Sequence, residues 1–131
     1  MATRLETVSD FVADARTLLQ DMVQPYRYSD PEILVALNTA LLEGRRLRAD
    51  LFVTRWGNRV PAFDAVSGEY VPVEPQFRLA FVYGAVAHTL LRDEEDVQDD
   101  RSNAFLEKFH DILVGMRPSP IKGGTPQTQK K

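Results

Sequence analysis

Cysteine is absent from this 131-residue chain, so no disulfide and no thiolate metal site can help hold it; packing alone must do so. Histidine is nearly absent: His88 and His110 are the only two, too few for a zinc site that needs three or four ligands. Each has apolar helical neighbours, and His88 shares a helical face with Phe81 and Gly84, so it reads as a satisfied core histidine. No apolar stretch approaches the roughly 18–20 residues that span a bilayer. The opening Met-Ala-Thr-Arg-Leu-Glu lacks the basic-then-apolar layout of a secretory leader, so cytosolic synthesis is expected. Gly-x-Ser-x-Gly, the Walker glycine loop and the dinucleotide fingerprint are missing as well. Gly123-Gly124 opens no helical pattern and is therefore no phosphate cradle. Carboxylates are plentiful, but they gather in a charge run and not in an apolar pocket that would raise a pKa. The expectation is a protein with no catalytic residues, no cofactor and no metal.

What is present fits one soluble globular domain: 44% hydrophobic and 27% charged residues. The net charge of −3 conceals an asymmetry. Residues 117–131 carry Arg117, Lys122, Lys130 and Lys131 and no acid, which leaves twelve basic against nineteen acidic groups in the rest. An acidic body argues against the broad basic footprint of a sequence-specific nucleic-acid binder.

Four helices are expected. Val8, Phe11, Val12, Ala15, Leu18, Leu19 and Met22 recur at three-and-four spacing, which predicts a first helix over about 8–23, capped by Thr7 with Asp10. Pro25 ends it. Ser29, Pro31 and Glu32 supply a complete start for a second helix over about 30–48, with a cap, a first-turn proline and the closing glutamate. Its apolar stripe is Ile33, Leu37, Ala40, Leu41, Gly44 and Leu47. Gly44 costs about 1 kcal/mol against alanine inside a helix, which points to close packing on a neighbour. Arg45, Arg46 and Arg48 in the last turn either offset the helix dipole or touch phosphate or an acidic neighbouring subunit.

Residues 51–74 change character. Leu51–Trp56 is β-prone, and Phe63–Val66 and Glu69–Val71 flank Ser67-Gly68, which predicts a small β-hairpin inserted between the second and third helices. Pro61, Pro72 and Pro75 limit it to a ribbon. Trp56 either packs beneath that hairpin or anchors a neighbouring subunit.

A third helix over about 76–92 is apolar nearly all round, which makes it either the central element or a helix buried on its second face by another subunit. Six acids follow in 93–100, among them Asp96 and Asp99. They suit a solvated helix start, a charged subunit contact or a wall facing DNA. A fourth helix then runs to about 114 with Phe105, Phe109, Ile112 and Leu113 as its stripe. From Gly115 the pattern dissolves, so 116–131 reads as a flexible basic arm with Ile121 as its apolar anchor, either a free terminus or a segment ordered on a partner. The expected fold is mainly α: a four-helix, bundle-like domain over 1–115 with the hairpin insertion and an extended C-terminal tail.

The run Pro25-Tyr26-Arg27-Tyr28-Ser29-Asp30-Pro31-Glu32, the exit Ala49-Asp50-Leu51-Phe52 and the apolar helix ending His88-Thr89-Leu90-Leu91 resemble, in that order, the head–tail adaptor (connector) proteins of tailed bacteriophages. The resemblance spans about 5–115. It implies a virion protein at the head–tail interface, in a homo-oligomeric ring of about twelve subunits beneath the portal protein. Such a ring would bridge the portal to a stopper, nozzle or tail component and pass double-stranded DNA without reading its sequence. Carried onto this chain, Arg117, Pro118, Pro120, Ile121 and Lys122 become the expected portal-binding residues. Arg45, Arg46, Arg48, Trp56, Asp96 and Asp99 become the expected intersubunit or lumen residues. The alternative from another class is a small helical DNA-binding or regulatory protein with Arg45, Arg46, Arg48, Arg55 and Arg59 as its footprint.

Overall fold

The computed structural model describes residues 4–51, 62–71, 73–92 and 100–115. Helix α1, Val8–Leu19, starts with the expected reciprocal cap: Thr7 Oγ1 accepts the Asp10 amide, and the Asp10 carboxylate accepts the Thr7 amide. It ends four residues earlier than the apolar spacing suggests. Gln20 is left-handed (φ 59°), and the amides of Gln20 and Asp21 turn back onto the carbonyls of Thr17 and Arg16. Met22 and Val23 consequently fall outside the helix and are 57% and 80% exposed.

A Schellman closure of this kind is normally accompanied by an apolar contact between the residues its longer bond joins. Here those residues are Arg16 and Asp21, a buried ion pair at 3.0 Å. The Arg16 guanidinium also donates to the Tyr28 carbonyl at 2.9 Å, pairs with Asp30, and lies 3.9 Å from the centroid of the Tyr26 ring. Asp21 accepts the amides of Arg27 and Tyr28. Thus 20–30 is wound around one buried charge pair that is further hydrogen-bonded by the backbone of Arg27 and Tyr28 and by the Asp30 carboxylate, the kind of added bonding that lets such a pair be tolerated inside a protein.

Helix α2, Asp30–Leu47, begins on the full Ser29/Glu32 capping box. A single 3₁₀ turn, Ala49–Leu51, follows it. Helix α3, Pro75–Leu91, buries Phe77, Ala80, Phe81, Val82, Gly84, Ala85, Val86, Ala87, Thr89 and Leu90. It is the central element, with α1, α2 and α4 all packed on it. Most of its apolar circumference is buried by its own chain, while Leu79 and Leu91 stay 43% and 42% exposed. Helix α4, Arg101–His110, continues through a wider π-helical turn, Asp111–Gly115, which brings Leu113 into the core.

Two glycines set the spacing of these helices. A methyl group on Gly44 would sit 2.5 and 2.6 Å from atoms of the Phe81 ring, and one on Gly84 would meet Ala40 Cβ at 2.8 Å and the Phe109 ring at 3.0 Å. Phe81 and Phe109 in turn meet edge to face, with centroids 5.7 Å apart. These contacts also fix direction. Ala40 faces Gly84 while Gly44, a turn later in α2, faces Phe81, a turn earlier in α3, so α2 and α3 are antiparallel.

The expected β-hairpin is not there. Among the described residues no strand forms; the single β-bridge joins Thr7 to Tyr70. The reason lies in the start of α1, whose first amides have no partner within the helix. The Val8 and Ser9 amides donate to the carbonyls of Glu69 and Ser67, and the Val71 amide donates to the Glu6 carbonyl. Phe63, the other end of the expected ribbon, has its amide and its carbonyl both bonded to the Asn38 side chain. The backbone groups a hairpin would pair with each other are thus used elsewhere, and 62–71 forms a strap that caps α1 and sends Phe63 and Val71 into the core. The Leu51–Trp56 run lies, beyond Leu51, outside the described residues.

Two stability outcomes follow. Gly44→Ala and Gly84→Ala gain up to ~1 kcal/mol of helix propensity but overpack a filled contact at ~1–3 kcal/mol, so both should lower the urea midpoint. Phe81→Leu should relieve Gly44→Ala and leave Gly84→Ala unrelieved. Arg16→Met should cost about 3–5 kcal/mol by stranding Asp21, against under ~0.5 kcal/mol for the exposed Arg46→Ala.

Candidate functional site

Of the residues singled out from the sequence, Arg45, Arg46 and Arg48 lie in the described part. Arg55, Arg59, Trp56, Asp96, Asp99, Arg117, Pro118, Pro120, Ile121 and Lys122 lie outside it. The three arginines do not form one patch. Arg45 and Arg46 are exposed, the latter's side chain 71% so. Arg48 is bound within the chain. Its Nε and one terminal nitrogen hold Asp50 at 3.0 Å each, and the other terminal nitrogen donates to the Leu113 carbonyl at 2.8 Å. Its guanidinium lies 5.0 Å from the Phe77 ring centroid. The Arg48 hydrogen bond holds the Asp50 carboxyl below its usual range and outweighs the small cost of burial; that bond likewise raises Arg48. Arg48 therefore ties the end of α2 to the last turn after α4 through the Leu113 carbonyl.

A turn back along α2, one carboxylate joins three helices. Glu43 lies 2.8 Å from His88 Nε2 on α3 through one oxygen, and 3.4 Å from His110 Nε2 on α4 through the other. Arg46 approaches the second oxygen at 3.5 Å. The convergence follows from the glycine contacts. Helical side chains lean toward their own N-terminus, so in an antiparallel pair Glu43 and His88 both lean back to the level where Ala40 meets Gly84. Phe109, which seats on Gly84, brings its neighbour His110 to the same place. An ionised carboxylate can only accept, so both rings carry their hydrogen on Nε2 in these bonds. Burial pushes the Glu43 carboxyl up, but the bonds and charge of His88 and His110 together outweigh it, and the group stays below its usual value.

The individual residues were visible in the sequence; their meeting was not. His88 reads as a core histidine, yet it is only half-buried and is satisfied by Glu43. Glu43 carries no motif. Its signal is positional, one residue before the helix glycine Gly44, as His88 stands four after Gly84. Chemically the cluster is a hydrogen-bonded clamp. Among the described residues, no group of three histidine, cysteine or acidic side chains is arranged to hold a metal ion, and no helix is long and apolar enough to cross a membrane.

The residues that carry the adaptor resemblance also have structural duties. Tyr26 stacks on Arg16, Tyr28 lends its carbonyl to Arg16, Ser29 and Glu32 form the cap, and Asp30 closes the ion network. No protein-family model, no curated protein and no solved structure matches this chain.

Because the folded Glu43 carboxyl titrates below its unfolded value of 4.5, its contribution is complete above that value and is lost as pH falls through the lower, folded one. Glu43→Gln should flatten this acid-side decline and cost about 1–2 kcal/mol at pH 7. Thermal unfolding followed between pH 7 and about 3 checks both.

Proposed function

We propose that this chain is a structural virion protein, a head–tail adaptor whose copies form a ring beneath the portal of a tailed bacteriophage. In this reading the ring joins the portal to a stopper, nozzle or tail component and lets the genome through. The observation that carries it is the Arg16-centred turn. Tyr26 and Tyr28–Asp30, on which much of the resemblance rests, contribute together to one α1–α2 junction of this chain, which supports reading them as a unit. The order that follows, a capped helix, an intervening segment, a central apolar helix and a last helix, supports the same reading.

The fold redirects attention to the surfaces a ring would use. With most of α3 buried within the chain, contacts between copies use outer faces such as that of α2, where Val35 and Leu42 are exposed one beyond the other and Arg45 and Arg46 follow. The basic segment 116–131 is the proposed portal-binding arm, through Arg117, Pro118, Pro120, Ile121 and Lys122. An acidic body passes DNA with few phosphate contacts, as a conduit requires. The competing DNA-binding reading has lost one arginine of its footprint, since Arg48 is committed to Asp50 and Leu113.

Binding assays on the purified full chain separate the two. An adaptor should bind portal protein, lose at least tenfold in affinity when 116–131 are deleted, and hold DNA weakly and without sequence preference. Sequence-preferring DNA binding that falls steeply between about 50 and 200 mM salt, with no portal binding, would overturn the proposal.

A further inference from the structure

Between α1 and α3 lies an open groove of about 210 Å³, lined by Asp14, Thr17, Leu18, Leu79, Val82 and Tyr83. Its floor is apolar, and Leu79 remains 43% exposed in it. We infer that this groove seats the chain's own C-terminal segment, with Ile121 as the side chain that fills it.

Three observations choose this occupant. The first is reach. Tyr83 borders the groove and also touches α4, packing on Phe105 with Lys108 over its ring at 5.8 Å. From Lys108 to Gly115 is seven residues, about 10 Å of helix. Ile121 follows Gly115 by six residues, which span about 20 Å when extended, so it can return to the groove of the same molecule. The second is chemistry. Ile121 is the one aliphatic side chain other than proline in 117–131, and a small apolar groove takes a single such anchor. The third is charge. Asp14 places a carboxylate in the groove lining, whereas Arg117 and Lys122 flank Ile121 in a segment that has no acid.

The docking stands without the adaptor reading; only its consequence rests on that reading. If 116–131 is the portal-binding arm, the groove stows it in the free protein, and the portal must compete for it.

The absence of cysteine makes the test direct. Gly124→Cys gives the full-length chain one attachment point for a nitroxide. Amide signals of Leu18, Leu79 and Val82 should be lost with the oxidised label and return on its reduction, and Ile121→Asp should restore them with the label still oxidised. The inference is overturned if no selective loss occurs, if Ile121→Asp leaves the loss unchanged, or if the loss arises only when labelled copies are mixed with isotope-enriched unlabelled ones, which would place the segment on a second copy. Leu79→Lys, at an exposed position, removes the seat without touching the arm. It should abolish the signal loss and raise portal affinity about threefold or more. Signal loss without portal binding would sustain the docking and remove the adaptor reading, so the two fail separately.

Discussion

The closeness of α2 to α3 governs the rest of this structure. Helix axes normally stand 8–10 Å apart according to the side chains between them, and here the side chains at two contact points are nothing more than hydrogen atoms. Gly44 admits the Phe81 ring and Gly84 admits Ala40 and Phe109. Widening either contact would withdraw Phe109 from its edge-to-face partner, lift Leu113 away from Gly44, and separate the Arg48 guanidinium from the Leu113 carbonyl. The same spacing lets one glutamate on α2 reach histidines on two other helices. The polar clamp is a consequence of the packing and not its cause: carboxylate hydrogen bonds contribute a few kcal/mol at most, while the buried Phe77, Phe81, Val82, Val86 and Leu90 side chains of α3 each contribute about 1.5–3 kcal/mol.

The second constraint is local and electrostatic. A twelve-residue helix is marginal by itself, so α1 depends on what closes its ends. One end is closed by Thr7, Asp10 and the carbonyls of the 62–71 strap, the other by Gln20 and the Arg16–Asp21 pair. Both closures recruit residues distant in sequence or charge chemistry that a periodicity argument does not weigh. They explain why a short helix can form one wall of the domain.

How far the fold was legible follows from which interactions are local. The caps at Thr7 and Ser29 depend on residues three apart, and each was readable as written. The stripes on α1, α2 and α4 were readable because period 3.6 is a property of one helix, and Gly44 pointed to a close neighbour because its cost demands one. The hairpin was misread because Ser67-Gly68 is a local turn signal, whereas the partners of Glu69 and Val71 are Val8 and Glu6, more than sixty residues away in the chain. Met22 was assigned to the first stripe because nothing in its own spacing shows that Gln20 has already turned left-handed. The Glu43 cluster was out of reach for a related reason: it is defined by three helices meeting at a level that only the Ala40–Gly84 contact sets. What carries the proposed role was legible first, and the structure adds the reason why those letters stand together.

The central claim, a stoichiometric ring component at the phage vertex, is tested most directly on the particle itself. Quantitative mass spectrometry of purified virions would count this chain against the portal protein. The account predicts a ratio near one; absence of the chain from mature particles would contradict it and leave the described bundle as the scaffold of a regulator or assembly factor.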